Sequence, residues 1–129
     1  MIILRFWRSA CCALAIFIAC SLPSSTVKSV AVVKIPHFDK AVHFGMFMVF
    51  ALVLIWDLRV FKKKDEPLKC LYTIAALGAF LFGIAIEAAQ HFFFPTRGAE
   101  ILDVVANGAG IMVGLTLFYF FIENSKVLN

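Results

Sequence analysis

Four long apolar runs alternate with short polar spacers along this chain. The runs cover about 4 to 22, 42 to 58, 70 to 91 and 101 to 122. Each approaches or exceeds the length a helix of 1.5 Å rise per residue needs to cross a hydrocarbon core of ~30 Å, given snorkelling ends. The spacers "PSSTVKSVAVVKIPHFDK", "RVFKKKDEP" and "FPTRGAE" hold the prolines and most of the charges. The pattern predicts an all-α fold, an integral membrane bundle of four transmembrane helices, as a single domain over 1–129 with no internal repeat.

Composition supports this solvent assignment. Hydrophobic residues make up 63% and charged ones 16%, with a mean hydropathy of +0.96, against roughly 45 to 50% and 25% in soluble domains. Four crossings use up a chain of 129 residues, leaving no room for a separate soluble catalytic domain. The net charge of +4 comes without the basic, aromatic-interleaved run that nucleic-acid binding requires, so it is read as topology. Arg5, Arg8, Arg59, Lys62, Lys63, Lys64, Lys69 and Lys126 fall on one side, and Lys28, Lys34, Lys40 and Arg97 on the other, eight against four. The positive-inside rule then places both termini in the cytoplasm, as for a bacterial plasma-membrane protein. Arg5 and Arg8 before an apolar stretch also resemble a signal peptide, but removing that segment would leave three spans and no soluble mature domain, so the first helix is expected to be retained. Cys11, Cys12, Cys20 and Cys70 show no metal-ligand spacing and are expected to form no disulfide.

With that topology, polar groups from three distant segments meet at the outer face. Asp39, Lys40 and His43 open the second helix, Glu87, Gln90 and His91 close the third, and Arg97, Glu100, Asp103 and Asn107 lead into the fourth. Asp39 and His43, Glu87 and His91, and Asp103 and Asn107 are each i, i+4 and share a helix face. An ionised side chain facing lipid inside a span costs ~2.5 to 3.5 kcal/mol, so Glu87 should turn inward. Gly83, Ala106, Gly110 and Gly114 provide small-residue notches for helix packing, the last two within "GIMVG". Simpler roles are available for several of these residues: an N-cap for Asp39, a solvated loop charge for Arg97 or Glu100, an interfacial side chain for His91.

Three motifs, "DKAVH" at 39 to 43, "EAAQ" at 87 to 90, and Arg97 with "DVVANGAG" at 103 to 110, together resemble the VanZ-like family of small polytopic membrane proteins, from about Pro36 to Gly114. The resemblance implies about four transmembrane helices with the motif residues near one membrane face, and a polar set of Asp39, Lys40, His43, Glu87, Gln90, Arg97, Asp103 and Asn107. The family takes its name from a protein linked to resistance to teicoplanin, a glycopeptide that binds cell-wall precursors outside the membrane. Many members carry tyrosine where Phe47 stands here.

The expected function is a cell-envelope factor whose outer-leaflet site binds membrane lipids, a lipid-linked cell-wall precursor or an anionic headgroup, with Arg97 and Lys40 meeting the anion. An intramembrane hydrolase or transferase, with His43 as general base and Glu87 as acid, is the alternative; a purely structural partner is a third. Serines at 21, 24 and 25 lie away from the motifs, and no catalytic nucleophile is assigned. His43, Glu87, His91 and Asp103 would make a zinc or manganese set, but His91 is not part of the resemblance, and no metal or cofactor is expected. Arg97 is expected to pair with Glu87 or Asp103.

Overall fold

The computed structural model describes residues 5–23, 25–26, 36–62, 66–94, 98 and 100–123. Among the described residues run the α-helices α1 (Trp7–Ser21), α2 (Phe38–Val60), α3 (Leu68–Phe93) and α4 (Ile101–Phe118), and α4 runs on into a π-helical turn, Tyr119–Glu123. Among the described residues there is no strand. Helices α2, α3 and the combined α4 are 23, 26 and 23 residues long and apolar enough to cross a membrane. Leu14, Leu77, Leu81 and Met112 are exposed on the outside of the bundle, where a hydrocarbon solvent would meet them.

The first helix differs from expectation. It has 15 residues, about 22 Å at 1.5 Å per residue, short of the core thickness. It stops at Leu22, whose extended backbone (φ −65°, ψ 139°) is what the following proline imposes. Both of its ends are fastened to the bundle. At the start, the Asp57 carboxylate accepts from the Ser9 backbone N–H (3.1 Å) and hydroxyl (2.8 Å), and the Arg8 guanidinium lies 3.3 Å away. Phe6, at the N-cap position, offers no side-chain cap, so Asp57, fully buried on α2, satisfies an orphan donor of the first turn from outside the helix. At the other end, Gln90 on α3 donates to the Cys20 carbonyl (3.0 Å).

Helix α2 packs on all three others, most extensively on α4. These two run parallel. A Cβ at Gly110 would land on the Phe44 carbonyl, and one at Gly114 would sit 2.5 Å from the Met48 carbonyl oxygen. With no side chain between them, the two backbones touch, as small-residue motifs permit. The register holds along the whole pair: His43 meets Asn107 and, four turns on, Arg59 donates to Glu123 (2.7 Å), both partners 64 residues apart. Ala106, expected on the same stripe, is half-buried. Helix α3 closes the third side with Ala75, Ala79 and Ile86 buried, and Phe82 stacks on Phe50 and Phe47 with ring centroids 5.1 and 6.0 Å apart. The four cysteines form no disulfide.

Two stability effects follow. Gly110→Ala should lower the melting temperature of the detergent-solubilised protein by the equivalent of about 1 to 3 kcal/mol, since backbone must move. Gly108→Ala should be neutral or stabilising, because its Cβ would meet only the Phe80 ring at an ordinary 3.6 Å and alanine gains up to about 1 kcal/mol of helix propensity. Asp57→Ala should cost about 1 to 3 kcal/mol by orphaning the Ser9 donors, whereas Arg8→Ala, whose side chain is 47% exposed, should cost about 1 kcal/mol or less. Thermal unfolding of the four variants measures both contrasts.

Candidate functional site

Because α2 and α4 are parallel and α3 is antiparallel to them, the start of α2, the end of α3 and the start of α4 meet at one end of the bundle. There His43, Glu87, Gln90, Asp103 and Asn107 are all buried. The sequence motifs bring these residues to helix ends; the α2–α4 register brings them into contact.

Lys40 is the upper centre. Its ammonium lies 2.6 Å from Glu100 Oε2, 2.9 Å from Asp39 Oδ2 and 3.2 Å from Asp103 Oδ1. An ammonium has three donors, and three carboxylates take them. Asp39 is in the first turn of α2 rather than at its N-cap, which is His37. Glu100 occupies the N-cap of α4 without a side-chain cap bond, so its carboxylate is turned to Lys40 instead.

His43 is the lower centre. Its Nδ1 lies 3.1 Å from Asn107 Oδ1 and 3.5 Å from Glu87 Oε1. The Asn107 oxygen is an acceptor, so the hydrogen bond between the two is donated by an N–H on Nδ1; Glu87 stands just beyond hydrogen-bond range. Asp103 belongs to both centres: ligand atoms of His43, Glu87 and Asp103 lie within 4.8 Å of one another, as do those of Asp39, Glu100 and Asp103. Phe47 and Gly83 form the floor. The Phe47 ring is fully buried, and a Cβ at Gly83 would sit 3.2 Å from it and 3.4 Å from Asn107 Nδ2. That amide nitrogen has no acceptor among the described residues.

Not every expected residue joins this cluster. Gln90 is buried, but its side-chain amide is committed to the end of α1. His91, one turn beyond Glu87 at the end of α3, is exposed with its ring against Phe92 (5.0 Å). Arg97 and its expected pairing with Glu87 or Asp103 lie outside the described residues; the described cation at Asp103 is Lys40. At the opposite end of the bundle, Asp57, Ser9, Arg59 and Glu123 form polar contacts that the sequence reading did not single out. A signal was present: Asp57 in "LIWDLR" is an acid in the last turns of a span, and the insertion cost applied to Glu87 applies equally to it.

The fold and the site together define a small helical membrane protein with an acidic, histidine-containing cluster sunk into one end. The sequence model of the VanZ/LLP1 family matches residues 13–122, and the chain belongs to that family. No curated protein and no solved structure matches it.

The acids around Lys40 differ in solvent contact, and variants should separate their contributions. Lys40→Met leaves Asp103, whose side chain is 7% exposed, without this cation and should cost about 3 kcal/mol or more. Glu100→Gln removes a partner that is 55% exposed and should cost about 1 kcal/mol or less. Thermal unfolding in detergent reads the order Lys40→Met, then Glu100→Gln.

Proposed function

We propose that the protein is a cell-envelope factor of the VanZ type, acting in a bacterial plasma membrane with both termini in the cytoplasm, α1 as a short fourth crossing, and the acidic cluster at the outer face. The cluster binds the polar headgroup of a lipid-linked cell-wall precursor. The observation that carries this reading is the burial of His43, Glu87, Asp103 and Asn107 from three helices at one end of the bundle. Carboxylates in such surroundings are costly, and a bound headgroup offers them hydrogen-bond donors.

Lys40 refines the chemistry. With its donors taken by Asp39, Glu100 and Asp103, it is not poised to grip an anion. The acceptors around it favour hydroxyl and ammonium groups, as on sugars and amino-bearing peptides. An intramembrane hydrolase or transferase is the second reading. The 3.5 Å approach of His43 Nδ1 to Glu87 Oε1 favours it, since a closure of a few tenths of an ångström would bring the pair into the range over which a general acid and base exchange a proton.

Lipid mass spectrometry of the purified protein tests the proposal. A lipid-linked species bearing hydroxyl or amino headgroups should co-purify with wild type and be lost in Glu87→Gln at unchanged melting temperature. Retention in the variant, or no such lipid in wild type, would overturn it and leave a structural partner; recovery of a cleaved headgroup would favour the enzyme. For topology, a cysteine placed at 29 should be labelled from outside intact cells and one at 63 should not.

A further inference from the structure

We infer that His43, Glu87 and Asp103 bind a divalent metal ion of the zinc or manganese class, with the Asn107 carboxamide oxygen as a further ligand. The inference goes beyond the headgroup reading and does not require it.

The donor set comes from three helices: an imidazole on α2, a carboxylate on α3, and a carboxylate and a carboxamide on α4. All four residues are at most 5% exposed. Metal bonds to such ligands are about 2.0 to 2.2 Å long, so neighbouring ligand atoms around one ion stand roughly 3 to 3.5 Å apart for tetrahedral or octahedral angles. His43 Nδ1 already stands 3.1 Å from Asn107 Oδ1 and 3.5 Å from Glu87 Oε1, and the His43, Glu87 and Asp103 ligand atoms fall within 4.8 Å of each other. An ion placed among them would draw Asp103 in by less than a bond length. It would replace the Nδ1 proton, which is the usual exchange on metal binding.

Asn107 is the independent sign. It is 1% exposed, its nitrogen finds no acceptor among the described residues, and its oxygen is turned toward the cluster. A carboxamide fixed in that sense presents its oxygen to the space between the acids, where a cation can take it, and its unpaired buried nitrogen marks the site as incomplete without a further group. The imidazole selects against magnesium and calcium, which prefer all-oxygen sets, and toward zinc or manganese. Asp103 is also held by Lys40 at 3.2 Å, the kind of outer contact that orients a metal-bound carboxylate. The companion trio of Asp39, Glu100 and Asp103 surrounds the Lys40 ammonium, so that centre already has its cation.

The test uses the full-length protein in detergent, stripped with chelator and dialysed against zinc or manganese. Elemental analysis should give about one ion per chain, with a raised melting temperature by mass action. His43→Gln and Glu87→Gln should each weaken binding about tenfold or more, while His91→Ala should leave it unchanged. Cobalt substitution of wild type gives a readout that survives a variant's failure to fold: visible ligand-field bands without thiolate charge transfer mark a nitrogen and oxygen set. Absence of stoichiometric metal in wild type, thiolate bands implicating the cysteines, or binding indifferent to both variants would overturn the inference. Metal binding without a co-purifying lipid would leave it standing and remove only the headgroup reading.

Discussion

At Gly110 and Gly114 the backbone of α4 rests against that of α2 with no side chain between, and this approach sets the geometry of everything above and below it. It fixes the register at which Asp103 meets Lys40 and Asn107 meets His43. It also places Glu123 beside Arg59 at the far end. A side chain inserted at either glycine would push the helices apart, and a separation of even an ångström would break contacts of 2.6 to 3.2 Å at the site. The polar cluster therefore depends on an apolar contact about one turn away from it.

The bundle applies one rule at both ends. Asp57, Arg59 and Lys40 are each turned against another helix and given a partner: Asp57 against the first turn of α1, Arg59 against Glu123, Lys40 against three acids. The two ends differ in what this achieves. At the Asp57 end the partners are backbone donors and single ion pairs, which tie helices together. At the other end histidine, carboxylates and a carboxamide converge on a shared space, which is more polar chemistry than helix fastening calls for.

Much of this was legible in the sequence. The second, third and fourth apolar runs correspond to α2, α3 and α4 within a few residues, because hydrophobic length is a direct readout of membrane crossing. The inward turn of Glu87 followed from insertion cost, and the notches at Gly110 and Gly114 from their spacing. The first run was harder: its apolar composition continues up to Leu22, but Pro23 and the Asp57 contact confine the helix to 15 residues. What pattern could not supply was the partner of each charge. Arg97 was the cation expected at Asp103; the parallel register of α2 and α4 puts Lys40 there, and position along the chain alone did not reveal it. Asp57 carried the same insertion-cost signal as Glu87, but the pattern could not tell that its partners are the Ser9 backbone N–H and hydroxyl with Arg8 beside them.

The parallel arrangement of α2 and α4 carries an electrical consequence. Peptide dipoles aligned along a helix leave roughly half a positive elementary charge at its N-terminus, and two such termini lie together at the site end. Side by side they repel, which is a standing cost of a parallel pair. Asp39 and Asp103, in the first turns of α2 and α4, and Glu100 at the N-cap sit in that field. The acids thus offset the mutual repulsion of the dipoles, and the dipoles lower the cost of keeping the acids ionised at the edge of a hydrocarbon layer.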